Sequence, residues 1–187
     1  QWDAWQNGAI EVQDTASQLA CEALAVQPGE RVIDLCAGAG GKTLALAAAM
    51  DNRGQLLACD IDRTRLSRLA PRAERAGASI VETRLLDPGK EAAALADWHG
   101  VADAVLVDAP CSGSGTWRRN PEARWRITPD RLKTINSLQG HVLRLGARLV
   151  KPGGSMVYAV CSLIKSEGAD QIATFLSRNK GWSAERL

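Results

Sequence analysis

The segment that decides the fold is RVIDLCAGAGGKTLALAAAM, Arg31 to Met50. It opens as a short apolar strand, stops at a glycine loop, and continues through "KTLALAAAM", rich in the helix formers Ala and Leu. A strand that runs through glycines into a helix begins a βαβ unit. The rest of the chain repeats the alternation. QLLACDI (55–61) reads as a strand, and RTRLSRLAPRAERAG (63–77) as a helix interrupted by Pro71. SIVETRLLD (79–87) is a strand and EAAALADW (91–98) a short helix. ADAVLVDAP (102–110) is the clearest strand of all. TPDRLKTINSLQGHVLRLGARLV (128–150) is a long helix, with Thr128 as N-cap and Pro129 at its first position. SMVYAVCS (155–162) and SEGADQIATFLSRN (166–179) follow as strand and helix. Strands separated by helices give an α/β fold, a mostly parallel sheet with helices on both faces. Such sheets take ligands at the carboxyl ends of their strands. That rule places Cys36, Asp60, Asp87, Asp108, Cys111 and Cys161 along one rim.

The 187 residues suit one domain with a sizeable core, and an apolar fraction of 45% is that of an ordinary globular protein. No apolar run approaches the ~18 residues of a membrane span, and no secretory signal pattern is present. The five cysteines are odd in number, lack C-x-x-C spacing, and fall partly inside apolar strands. This speaks against a disulfide scaffold and against zinc, and for a reducing, cytoplasmic setting. His99 and His141 stand apart from any metal-ligand pattern, so no metal is expected. Cys21 and Cys59 lie in apolar helix and strand patterns and read as packing residues. The net charge of +2 is uninformative, but its distribution is not. Trp117 to Lys133 holds six basic and two acidic residues, interleaved with Trp117 and Trp125. Guanidinium groups neutralise phosphates and indoles stack on bases; a solvated basic loop is the plainer alternative.

The glycine loop DLCAGAGGKT (34–43) admits three ligands. A P-loop would need a glycine where Cys36 stands. The dinucleotide fingerprint matches Gly38 and Gly40 but meets Thr43 at its last glycine. The third ligand is S-adenosylmethionine, a zwitterion beside a sulfonium, with no pyrophosphate. It calls for glycines that let the backbone approach, for an acid near the first strand (Asp34), and for acids ending the next two. Asp60 stands about 20 residues past the glycines, the spacing of ribose-binding acids, and Asp87 ends the third strand. Each such Asp could instead cap a helix; three on successive strands favour a nucleoside-type cofactor.

Two Cys-Ser pairs end two separate apolar strands, in VDAPCSGSGTWRRNP (107–121) and GSMVYAVCSL (154–163). With VQDTASQLA (12–20), DLCAGAGGKT, DAPCSGSGTWRRNPEARW (108–125) and VYAVCSL (157–163), the chain resembles the RNA cytosine-5 methyltransferases of the Sun/Nop family over nearly its whole length. The resemblance implies a Rossmann-like class I methyltransferase domain dependent on S-adenosylmethionine. It implies RNA as substrate, with ribosomal RNA expected, and no membrane partner. Cofactor binding falls on Cys36, Ala37, Gly38, Ala39, Gly40, Gly41 and Lys42, with Asp60, Asp87 and Asp108. Cys161 corresponds to the nucleophile and Cys111 to the cysteine that assists release. Departures are Gly38-Ala39 for the usual Ala-Pro, Ala159-Val160 for Ser-Thr, and "IKSEGAD" for a more acidic-amide segment. The family usually adds an amino-terminal RNA-binding domain and a terminal strand hairpin, so residues 1–187 are expected to be a catalytic domain lacking both.

The chemistry gives such a pair of cysteines a reason. C5 of cytosine is a poor nucleophile, and thiolate attack on C6 turns the ring into an enamine whose C5 can accept a methyl group. Asp108, three residues before Cys111, is placed to hold the base edge and can also touch the cofactor. Cys111 can then help break the C6–S bond. The residues themselves do not rank the two cysteines; the resemblance favours Cys161 as nucleophile. Attack on C6 needs an unstacked base, and Arg118, Arg119, Arg124 and Arg126 follow the reactive loop closely enough to grip flanking RNA phosphates. DNA or tRNA cytosine methylation, a silent RNA-binding factor and a dehydrogenase are the alternatives. The second cysteine argues against the DNA enzymes, the intact reacting groups against a silent factor, and the broken fingerprint against a dehydrogenase.

Overall fold

Strands covered on both faces read as continuous apolar runs rather than alternating ones. Leu56, Leu57, Ala58 and Cys59 are all fully buried, as are Val105, Leu106 and Val107. The computed structural model describes residues 2–185. Helices α1 (Asp3–Gln6) and α2 (Thr15–Glu22) precede the sheet; Asp14 caps α2 by accepting the Ala16 N–H. Then come β1 (Arg31–Asp34), α3 (Gly41–Ala49), β2 (Gln55–Asp60), α4 (Arg63–Leu66), α5 (Leu69–Arg75), β3 (Val81–Leu85) and α6 (Glu91–Ala94). The second half holds β4 (Ala102–Asp108), α7 (Pro129–Leu149), β5 (Val150–Ala159) and α8 (Ala169–Arg178). The five strands are parallel, in the order β3-β2-β1-β4-β5. The expected α/β architecture is the observed one.

Side chains alternate between the two faces of the sheet. Ile33, Leu57, Val105 and Val107 pack on one face with Val142, Leu145 and Leu149 of α7. Val32, Leu56, Ala104 and Leu106 pack on the other with Leu46, Ala47 and Met50. Each fully buried Leu, Ile or Val stabilises the fold by about 1.5–3 kcal/mol. Gly146 lets α7 settle against the sheet: a Cβ there would stand 2.9 Å from Met156 Sδ and 3.0 Å from Val107 Cγ2.

Several boundaries differ from the sequence reading; the helix expected over 91–98, for one, is α6 followed by a separate 3₁₀ turn, Ala96–Trp98. The helix expected over 63–77 breaks at Ser67–Arg68, upstream of Pro71. A proline lacks the N–H for the i−4 carbonyl and its ring collides with it, so Pro71 sits in the first turn of α5, where no such bond is needed. Strand β5 begins at Val150 instead of Ser155, with a register irregularity opposite Ala102–Ala104. The last helix is preceded by a separate 3₁₀ turn, Lys165–Glu167.

Candidate active site

The loop between β1 and α3 is wound tightly enough to exclude side chains. Gly38 and Gly40 take φ of +56° and +85°. A Cβ on Gly38 would lie 2.5 Å from the Arg65 guanidinium, and one on Gly40 2.1 Å from Leu69 Cδ1. Asp60, at the end of β2, anchors the loop: Oδ2 accepts the Gly38 N–H at 2.7 Å and Oδ1 the Asp62 N–H at 2.8 Å. Asp34 has no accessible surface and accepts the Thr43 hydroxyl at 2.7 Å, while its other oxygen has no hydrogen-bond partner. Burial pushes its carboxyl up to about 7, against the pull of Thr43. It supports the loop from within the protein. Arg72 of α5 donates to the Ala39 carbonyl at 2.5 Å and pairs with Glu11 at 3.1 Å, tying the amino-terminal segment to the same loop.

Across the seam between β1 and β4, Lys42 Nζ meets Asp108 Oδ2 at 2.6 Å. The sequence placed Lys42 in the cofactor loop; its ammonium turns to Asp108. Beyond β4 and β5 the two thiols come together, with Cys111 Sγ 3.2 Å from Cys161 Sγ. Two adjacent thiols share protons unequally. The hydrogen bond from Cys111 outweighs burial and, with help from Lys42, brings Cys161 down to about 7. The same bond, with burial, pushes Cys111 well above the ordinary thiol range. The more exposed residue, Cys161, is thus the more acidic of the two. Cys21 and Cys59 are pushed up to about 11 and about 12, chiefly by burial, as packing residues should be. Cys36 is likewise raised by burial.

The sequence reading missed the groups that lie beneath this pair. Glu167, from the 3₁₀ turn, is fully buried. It accepts hydrogen bonds from the residue after each cysteine, Ser112 and Ser162, and from Gln139 of α7. Burial opposes its charge, but those hydrogen bonds prevail and hold its carboxyl below the usual value.

The model of the 16S rRNA methyltransferase RsmB/F family matches residues 21–187. The chain belongs to the RsmB/F family. A relative named ribosomal RNA small subunit methyltransferase B, from Xanthomonas campestris pv. campestris, is 37% identical over 188 residues, covering 100% of this chain and 42% of its own length. A methyltransferase homologue from Pyrococcus horikoshii superposes with a TM-score of 0.79 at 32% identity, covering 95% of this chain and 54% of its own. NSun6 from the same organism, solved with SFG, gives 0.84 at 25% identity over 95% of this chain and 44% of its own. This chain spans about two fifths of the length of the curated relatives it matches.

S-adenosylmethionine is the cofactor of RsmB/F methyltransferases, and the residues present fit it. Asp60 spends one lone pair per oxygen on the loop, leaving one on each for a pair of ribose hydroxyls. Ile61 beside it is half-exposed and offers an apolar face. Asp87 is exposed just past β3, on the same rim. Among the described residues no cluster of three His, Cys, Asp or Glu side chains could hold a metal ion, and no helix is long and apolar enough to cross a membrane. The four arginines are exposed on the loop after Cys111. They are not equivalent: Arg119 pairs with Asp14 at 2.7 Å, and Arg124 lies 4.5 Å over the Trp125 ring.

Proposed function

We propose that residues 1–187 are the catalytic domain of an RNA cytosine-5 methyltransferase that acts on ribosomal RNA in the cytoplasm through a covalent Cys161–C6 intermediate. The observation that carries this reading is the pair of thiols 3.2 Å apart beside the Lys42–Asp108 ion pair. A second thiol in contact with the nucleophile supplies a proton donor at the sulfur that must leave C6. When bound, S-adenosylmethionine supplies the electrophilic methyl group. Asp60 and Asp87 would hold its nucleoside end, and the Gly38–Lys42 backbone would contact the remainder.

The Cys161 thiolate adds to C6 of an unstacked cytosine, forming the C6–S bond and moving electron density toward C5 and N3. Asp108, oriented by Lys42, accepts from the N4 amino group and steadies the activated ring. After C5 is methylated its proton leaves to solvent and the C6–S bond breaks. Cys111 Sγ, 3.2 Å from Cys161 Sγ, is within reach to donate its proton toward the departing thiolate. Arg118, Arg124 and Arg126 hold flanking phosphates, with Arg119 available once it parts from Asp14.

Incubation with labelled S-adenosylmethionine and ribosomal RNA, followed by nucleoside analysis, is expected to yield 5-methylcytidine. Cys161→Ala should abolish turnover. Cys111→Ala should accumulate a protein–RNA adduct that survives a denaturing gel and requires Cys161. Adduct from Cys161→Ala and none from Cys111→Ala would reverse the two roles. Methylation persisting in both variants would remove covalent catalysis.

A further inference from the structure

A carboxylate with no accessible surface stands under the thiol pair without hydrogen-bonding to either sulfur. Its four donors account for each lone pair it presents. Glu167 Oε1 accepts the Ser112 N–H at 2.8 Å and Gln139 Nε2 at 3.1 Å. Oε2 accepts the Ser112 hydroxyl at 2.5 Å and the Ser162 hydroxyl. Having given its proton to Glu167, Ser162 Oγ accepts from Ser114 Oγ at 3.0 Å and from the Ile164 N–H at 3.1 Å. Ser114 Oγ in turn accepts the Leu163 N–H at 2.8 Å. Every hydroxyl proton has one destination. The two strand-end loops are further joined by the Gly115 N–H, which donates to the Cys161 carbonyl at 3.0 Å.

Ser112 and Ser162 are each bonded covalently to the cysteine that precedes them. Drawn to the same carboxylate oxygen, their hydroxyls stand 3.2 Å apart, and the sulfurs one residue back stand 3.2 Å apart as well. We propose that Glu167 is the positioning residue of the thiol pair: through Ser112 and Ser162 it holds Cys111 and Cys161 in hydrogen-bonding contact, so that the reactivity of Cys161 depends on a carboxylate that touches neither sulfur. A carboxylate accepts all four of these donors. A neutral amide has one acceptor oxygen with two lone pairs and leaves two of the four without an acceptor, and an apolar side chain leaves all four unpaired, a costly outcome in a buried network.

The test reads the thiols, so it stands or falls separately from the RNA chemistry. Cys161 alkylation by iodoacetamide is followed across pH 5–10 by peptide mass mapping, which separates it from Cys111. The midpoint, not the rate at one pH, is the readout, because a less acidic thiolate is also a stronger nucleophile. The charged and titratable neighbours of Cys161 are Cys111, Asp108 and Lys42, all retained in every variant. The parent midpoint is expected near 7. Glu167→Ala should raise it by about one unit or more, toward the ~8.5 of a free thiol. Glu167→Gln, which keeps the Oε1 contacts, and Ser162→Ala, which removes one arm, should each give a smaller rise. S-adenosylmethionine binding, seated on the other half of the sheet, should be unchanged and reports that the variants are folded. An unchanged midpoint in folded Glu167→Ala overturns the proposal. If that variant does not fold, an unchanged midpoint in both Glu167→Gln and Ser162→Ala overturns it equally.

Discussion

Removing the Asp60 side chain should damage the cofactor loop and the cofactor's affinity by separable amounts. In Asp60→Ala the buried Gly38 N–H loses its acceptor, which costs about 1–3 kcal/mol. The Asp62 N–H is only partly buried, can turn to water, and adds about 0.5–1.5 kcal/mol. A total near 3 kcal/mol lowers the melting temperature of a domain this size by about 6–12 °C. The cofactor also loses its pairing with a charged acceptor, about 1.5–3 kcal/mol, or about 10- to 150-fold in Kd. Asp87→Ala is the companion measurement. That carboxylate is exposed, so its removal should weaken binding while leaving the melting temperature within about 1–2 °C of the parent. Scanning calorimetry gives the first quantity and titration calorimetry the second. An Asp60→Ala protein with parental melting temperature and parental affinity would refute the assignment of this carboxylate to both loop and ribose.

Arg118→Ala with Arg124→Ala should flatten the salt dependence of RNA binding by up to about one unit of slope per lost phosphate contact. Arg119→Ala should do less, because its guanidinium is already paired with Asp14; equal slopes for all variants in a filter-binding salt series would return the loop to a merely solvated role. Asp34 should make the protein less stable as pH rises. Its carboxyl binds a proton more tightly folded, near 7, than at its ordinary 3.8, so between those values the native state holds more protons and stability falls with pH. Urea unfolding of Asp34→Asn at pH 4 and pH 8 should show a smaller fall than the parent, and an identical fall would remove Asp34 as the cause. Gly146→Ala should destabilise by about 1–3 kcal/mol through overpacking, less the ~1 kcal/mol that alanine gains in a helix; urea titration showing a net stabilisation would mean that Met156 and Val107 make room without cost.

The rim was legible because strand ends are written locally. Apolar runs that stop at Asp60, Asp108 and Cys161 give direction and position at once, and parallel pairing does the rest. The identity of the partners was not. Glu167 lies in "IKSEGAD", a polar stretch that reads as solvated surface, and its burial arises only when α7 and the two strand-end loops close over it. The one trace of it in the sequence is that serine follows both cysteines. Asp14 and Arg119 are 105 residues apart, a separation no local pattern reports. Asp34 was visible as an acid near the cofactor loop, but its fully buried position depends on Thr43 and the packing around it. Pro71 marked a real interruption at the wrong place, since a proline's conflict is with the carbonyl four residues earlier.

The strand order β3-β2-β1-β4-β5 gives donor and acceptor chemistry separate addresses. On the proposed function, residues 31–87 build the methyl donor's half and residues 102–167 the half that receives the base, each contiguous in the chain. The connection 88–101 belongs to neither site. Such a chain can be cut and recombined: a crossover inside that connection exchanges one half whole, without splitting either set of contacts. The two halves are then free to drift at different rates, one following a nucleoside that never changes and the other following whatever nucleic acid it must recognise. Two ion pairs are the exceptions, Lys42–Asp108 and Asp14–Arg119, since each parent contributes one member of each and they must still meet across the seam. A chimera that folds but does not turn over should be repaired there first.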